Sequence, residues 1–112
     1  MSFDISLWER LNEERHAFRE AMRLETLAKT IESLRSYFSN KKVDKVFITG
    51  SVLRECFFYD FSDIDIAVEG LKESYFITLS ELEELLQRQV DLIELENSKI
   101  SDSIKNKSIQ IK

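Results

Sequence analysis

The sequence predicts a small mixed α/β protein of the α+β type, with one β-sheet flanked by helices on one side and preceded by a long helical segment. Two observations carry this prediction. A first segment without glycine or proline has apolar residues at helical spacing, and short β-branched runs then alternate with an amphipathic stretch. At 112 residues the chain has the size of one domain with a single core.

The first helical segment covers residues 1–42. Ser6 and Glu9 form a capping-box pattern near its start. The apolar stripe drifts near Met22, which leaves open one long helix or two helices joined by a bend. We expect this segment to pack on a core formed by residues 43–112, within a single domain.

Short strands and helices alternate through the rest of the chain. β-branched and aromatic runs predict three strands, and leucines on one face among glutamates predict an amphipathic helix. The tail has isoleucines at helical spacing and then an alternating stretch that fits an edge strand. The predicted elements are strands at 46–49, 63–68 and 90–95, helices at 52–56 and 74–88, a short helix around 100–104 and an edge strand at 108–112.

Composition and charge exclude several classes of function. A formal net charge of -5 argues against a broad surface for the phosphate backbone of nucleic acids. No apolar run approaches the roughly 20 residues of a membrane helix, and the first residues lack the pattern of an export signal. We therefore expect a cytoplasmic protein that binds neither membranes nor nucleic acid directly.

The chain has one cysteine, Cys56, and one histidine, His16. An internal disulfide is thus excluded, and a thiolate metal cluster is disfavoured. Any bound metal would be held mainly by oxygen ligands, which favours Mg²⁺, Mn²⁺ or Ca²⁺ over zinc. His16 lies among charged residues, as is typical of a solvated helix surface.

Three aspartates are the candidate metal ligands. Asp63 and Asp65 are two residues apart in a predicted strand, so their side chains share one face while the intervening isoleucines enter the core. Asp91 lies between apolar residues of the next strand, and it joins the pair if the two strands are neighbours with matching pleat. Three such carboxylates can hold one or two divalent ions, although each aspartate alone is more often a strand-end or solvent-facing residue.

Gly50 and Ser51 stand where the first strand passes into a short helix. Such a junction leaves backbone N–H groups available to an anion, and glycine lets a phosphate approach the backbone closely. The serine hydroxyl can donate to a phosphate oxygen. A Gly-Ser pair alone is usually only a turn, but beside metal-bound carboxylates it suits a nucleoside triphosphate.

The stretches FITGSVLRE, SDIDIAVEGL and QRQVDLIELE resemble the minimal nucleotidyltransferases of the DNA polymerase β-like superfamily. The family pattern is a Gly-Ser, about ten residues, a D-x-D and a later third carboxylate. The resemblance implies that Gly50 and Ser51 bind nucleotide phosphates. It also implies that Asp63, Asp65 and Asp91 hold the metals and form the catalytic set, with Asp91 helping to activate the acceptor oxygen.

The segment between these motifs carries further features. Arg54 matches an arginine frequent in the family's G-S-x-x-R segment and would contact phosphate, a plain surface arginine being the alternative. Residues 52–62 make the connection one residue longer than the usual family pattern, and Glu55 stands where relatives commonly have glycine. The aromatic residues there fit a partner interface, a nucleobase platform or packing under the sheet. They are Phe57, Phe58, Tyr59 and Phe61.

Small members of this family are similar to the antitoxins of bacterial toxin-antitoxin pairs whose partner is a HEPN-domain ribonuclease. The resemblance implies transfer of AMP from ATP to a hydroxyl of that partner, with Mg²⁺ or Mn²⁺ as cofactor. A binding antitoxin that masks its partner without chemistry is the alternative, and a standalone nucleotide-binding regulator is a third. Self-association through the N-terminal helix stays open.

Overall fold

The computed structural model describes residues 5–55, 57–59, 62–97 and 101–112. The predicted positions 1–4, 56, 61 and 100 lie outside these ranges. The α+β class and the predicted order of elements are confirmed. The helices are α1 (Ile5–Phe38), α2 (Tyr75–Leu86) and α3 (Ser101–Asn106), and the strands are β1 (Lys45–Thr49), β2 (Ile64–Glu69), β3 (Val90–Glu94) and β4 (Ile109–Gln110).

Helix α1 is one continuous helix of 34 residues, which decides between the one-helix and two-helix alternatives. Its buried residues, Thr30, Leu34 and Phe38, all lie in the last three turns. Ser6 already lies inside the helix, so it does not precede the helix as a capping box requires. In the parts of the chain that are described, no helix is both long and apolar enough for a bilayer span.

The four strands form one mixed sheet in the order β3-β2-β1-β4. Strand β1 is antiparallel to β2 and to β4, whereas β2 and β3 are parallel. A parallel pair needs a crossover connection, and the helix α2 supplies it. Ser74 caps the start of α2, and the helix ends at Leu86 because Gln87 adopts a left-handed backbone with φ 52°.

The main core lies on one face of the sheet. Leu34 and Phe38 of α1 and Leu82 of α2 pack there against strand residues such as Ile48 and Ile66. Both long helices therefore cover the same face, as the sequence predicts.

A smaller apolar cluster on the opposite face contains Phe47, Ala67 and Leu95, with Ile104 of α3 packed against it. Short α3 thus covers part of this second face. Since Asp65 and Ala67 are two residues apart in β2, their side chains project from this same face.

Candidate functional site

Asp65 and Asp91 are register partners on the neighbouring parallel strands β2 and β3. Partners in adjacent strands share the pleat, so both carboxylates project from the same face, with Cα atoms about 5 Å apart. The alternate residues Ile64, Ile66, Val90 and Leu92 are buried on the other face. The condition set for Asp91, that the second and third strands are neighbours with matching pleat, is therefore met.

Asp63 directly precedes β2 and is exposed, whereas Asp65 is half-buried. Burial, and to a lesser extent the nearby charges of Asp91 and Asp63, together raise the pKa of Asp65 to about 6. Asp65 therefore lies near enough to Asp91 and to Asp63 for the charge of each to act on its carboxylate.

The carboxylates do not form a ready-made cage. Across the residues that the structure describes, no group of three or more acidic, histidine or cysteine side chains is gathered tightly enough to hold a metal ion. The donor set still fits a divalent cation in kind, because it consists of carboxylate oxygens whose mutual repulsion a cation would relieve. The metal-binding role of Asp63, Asp65 and Asp91 stays a prediction.

Gly50 lies against the carboxylate of Asp65. A Cβ built on Gly50 would stand 1.8 Å from Oδ2 of Asp65, and the backbone has φ 83° and ψ -157°, a region essentially restricted to glycine. Thr49, the preceding residue, is the register partner of Asp65. The Gly-Ser junction and Asp65 thus meet at one end of the sheet.

Ser51 begins a short 3-10 turn, Ser51–Leu53. The N–H of Leu53 donates to the carbonyl of Gly50 at 3.1 Å, and the N–H of Arg54 donates to the carbonyl of Ser51 at 3.0 Å. The N–H groups of Ser51 and Val52 come first in the turn, and a helical turn offers no internal acceptor to its first N–H groups. The predicted phosphate-binding role of Gly50 and Ser51 is compatible with this geometry and stays a prediction.

Arg54 follows the turn and is exposed. Its guanidinium lies over the ring of Phe57, with 4.6 Å between the guanidinium carbon and the ring centroid. The side chain of Arg54 therefore packs on the ring of Phe57, and its contact with phosphate stays a prediction. Nε2 of His16 lies 3.3 Å from Oε1 of the adjacent Glu55, so His16 faces the connection. The side chain of His16 is half-exposed.

The aromatic residues of the connection divide between two environments. Phe58 is 1% exposed and belongs to the main core, as expected for packing under the sheet. Phe57 and Tyr59 are exposed, as expected for an interface or a nucleobase platform. Phe61 lies outside the described residues.

Sequence reasoning missed two arginines near the site. Nη1 of Arg23 donates to the carbonyl of Val52 at 3.1 Å, and Nη1 of Arg88 donates to the carbonyl of Ser62 at 2.8 Å. No sequence signal marks either residue, because an arginine within or just after an amphipathic helix is typical of a solvated face.

A model of the polymerase beta nucleotidyltransferases matches residues 32–112. The chain belongs to this family. The match contains every residue predicted for the site of this nucleotidyltransferase, but it excludes most of α1.

Two solved structures have the fold of this nucleotidyltransferase. One is a mutant of the toxin-antitoxin MntA-HpeT, with 19% identity and a TM-score of 0.56 over 73% of this chain and 71% of that one. The other is a toxin-antitoxin with AMP-PNP, with 21% identity and a TM-score of 0.58 over 73% of this chain and 72% of that one. A comparison with curated proteins finds no match.

Proposed function

We propose that this chain is a metal-dependent nucleotidyltransferase that transfers AMP from ATP to a hydroxyl of a partner protein, a HEPN-domain toxin that it thereby neutralises in the cytoplasm. One observation carries the proposal: Gly50 abuts Asp65, and Asp65 is paired with Asp91. A phosphate-binding turn beside converging carboxylates is what transfer from a nucleoside triphosphate requires. Family membership and the likeness to toxin-antitoxin structures support it.

Each site residue has a role in the proposed reaction. Gly50, Ser51 and Arg54 bind the phosphates, while Asp63 and Asp65 with Asp91 hold Mg²⁺ or Mn²⁺. The bound metal supplies positive charge that offsets the carboxylates and the triphosphate.

Asp91 is exposed and therefore accessible to an acceptor. In the proposed step the acceptor oxygen attacks the α-phosphorus in line, the bond from the α-phosphorus to the bridging oxygen breaks, and pyrophosphate leaves. The acceptor's proton passes to Asp91, which acts as the general base.

Charge and surface favour a protein as the acceptor. The net charge of -5 disfavours a nucleic-acid acceptor. The first half of α1 exposes large apolar side chains, and it lies outside the region that matches the family. Exposed apolar side chains along one element are typical of a protein interface.

The test combines the purified chain, its co-purifying partner, Mg²⁺ and labelled ATP. Wild type should label the partner and add a multiple of the mass of an AMP residue. The double variant Asp63→Asn with Asp65→Asn should abolish labelling, whereas Asp102→Asn, an exposed aspartate of α3, should not. Equal labelling by the double variant would refute the enzymatic proposal.

A non-catalytic antitoxin is the alternative, and the exposed residues of α1 favour it. Leu7, Trp8, Leu11 and Phe18 are all more than two-fifths exposed, so they can cover a partner's surface without chemistry. In this case the double aspartate variant neutralises the toxin as well as wild type does. If the double variant loses both the neutralisation of the toxin and the labelling of the partner, the result favours the enzyme.

A further inference from the structure

Two arginines that are not among the predicted site residues contact the two ends of the connection between the Gly-Ser turn and β2. Arg23 of α1 donates to the carbonyl of Val52, the residue after Ser51. Arg88, which follows α2, donates to the carbonyl of Ser62, the residue before Asp63. Each guanidinium thus binds backbone directly next to a residue of the proposed site.

The guanidinium of Arg23 is held in place by Glu20. Nε and Nη2 of Arg23 donate to Oε2 of Glu20 at 3.0 and 2.8 Å, and the side chains are only 12% and 18% exposed. A charged hydrogen bond is strong in such a poorly solvated place, and a planar guanidinium can serve Glu20 and Val52 together. A lysine at this position would lack the fork that joins the two partners.

Two neighbouring residues of α1 extend this contact. His16 lies 3.3 Å from Glu55, and the guanidinium of Arg19 lies 5.0 Å from the ring centroid of Tyr59. With Arg23 they fall three and four residues apart, which puts all three on one face of the helix. This face of α1 therefore lies along the connection, although residues 1–31 are outside the region that matches the family.

Arg88 holds the other end. Its guanidinium lies 4.9 Å from the ring centroid of the buried Phe58 while Nη1 donates to the carbonyl of Ser62. The neighbouring Gln89 accepts from the N–H of Ile64 at 3.0 Å, which begins the pairing of β2 with the approach to β3. Arg88 consequently ties the residue before Asp63 to the segment that leads into Asp91.

We propose that Arg23 and Arg88 are positioning residues, with Arg23 fixing the phosphate-binding turn and Arg88 fixing Asp63 beside Asp65 and Asp91. The inference rests on the proposed function of this site. Because the two arginines hold opposite ends of the connection, loss of Arg23 should weaken the binding of ATP, and loss of Arg88 should weaken the binding of Mg²⁺.

The test measures Arg23→Gln and Arg88→Gln in the full chain with its toxin. At saturating Mg²⁺, Arg23→Gln should raise the KM for ATP about tenfold with kcat changed far less, as expected for one lost charged hydrogen bond. At saturating ATP, Arg88→Gln should raise the Mg²⁺ concentration for half-maximal labelling about tenfold. Arg35→Gln, an exposed arginine of α1, is the matched control and should change neither quantity.

A purely structural role would lower the unfolding temperature and leave the KM for ATP and the Mg²⁺ midpoint unchanged, which would overturn the inference. If a glutamine variant does not fold, Arg23→Lys and Arg88→Lys carry the test. They keep the charge and one donor, so smaller changes of the same two parameters are expected. Calorimetry of ATP binding in the presence of Mg²⁺ distinguishes a failure of the proposed function from a failure of the role of the arginines. A wild type that neither binds nor transfers sinks the proposed function, whereas an active wild type with unaffected variants sinks only the role of the arginines.

Discussion

Asp65 of β2 and Asp91 of β3 lie directly opposite each other on neighbouring parallel strands, with Asp63 preceding the first of them. Their shared face meets the backbone of Gly50 at the end of the sheet. Without a cation this arrangement concentrates negative charge on a half-buried surface, so the apo protein bears an electrostatic cost that a bound metal would remove.

The first prediction concerns this cost. The pKa of Asp65 is raised from 3.8 to about 6 by burial and by the charges of Asp91 and Asp63. Because the native pKa exceeds the unfolded one, the native state binds the proton more tightly. The stability contributed by this group therefore falls as the pH rises from about 4 to about 6, and the full cost is present above about 6.

Asp65→Asn removes that ionisation. After allowance for solvent screening at a half-buried site, we expect the variant to be about 1 kcal/mol more stable than wild type at pH 7 without divalent cations. The advantage should vanish near pH 4. Urea unfolding of both proteins across this pH range measures the difference, and Asp102→Asn is the control. A difference that does not change with pH contradicts the assignment.

The second prediction concerns Gly50→Ala. The new Cβ would collide with the carboxylate of Asp65 on a backbone that only glycine adopts readily, so we expect a loss of about 3 kcal/mol in stability. Nucleotide binding should fall as well, because Asp65 is displaced. Ser51→Ala introduces no such collision and should cost little stability.

A double-mutant cycle separates collision from backbone strain. In an Asp65→Ala background the carboxylate oxygen is gone, so the cost of Gly50→Ala should shrink. Identical costs in both backgrounds would show that contact with Asp65 does not contribute. Thermal unfolding of the four proteins gives the comparison.

The third prediction separates the aromatic residues of the connection. Phe58 is buried in the core under Arg88, so Phe58→Ala should destabilise the protein by about 3 kcal/mol through the cavity that it leaves. Phe57 is 56% exposed, so Phe57→Ala should change the unfolding free energy by less than about 0.5 kcal/mol. Chemical denaturation of both variants is the measurement. Similar losses for the two variants would contradict the division.

The fourth prediction concerns the exposed half of α1. Trp8 and Phe18 are 54% and 76% exposed, so Trp8→Glu and Phe18→Glu should leave the unfolding temperature nearly unchanged. If these side chains bind the partner, capture of the toxin should weaken about tenfold or more. Arg10→Gln, a polar change on the same exposed stretch, should have little effect. Undiminished capture by both variants would show that the partner binds elsewhere.

Local patterns predicted which residues are offered at the candidate site, and the binding roles of those residues stay predictions. The alternation of Asp63 and Asp65 with isoleucines depends only on the pleat of a strand. The strand β2 begins at Ile64, one residue later than predicted, and both isoleucines are nevertheless buried. The Gly-Ser junction is also a local feature, because few residues other than glycine adopt the backbone conformation that Gly50 has. The pattern could not show that, among the described residues, no carboxylates are gathered into a preformed metal cage, because that depends on side-chain placement in three dimensions.

By itself the sequence determined the α+β class, the order of elements and the residues offered for chemistry, because hydrophobic period and turn chemistry are local properties. Tertiary structure alone decided that Asp91 pairs with Asp65, that Phe58 is buried while Phe57 is exposed, and that Arg23 and Arg88 reach the connection. These are contacts between residues far apart in the chain. Their existence depends on which strands pair and which helix face meets them, and no local pattern encodes that choice.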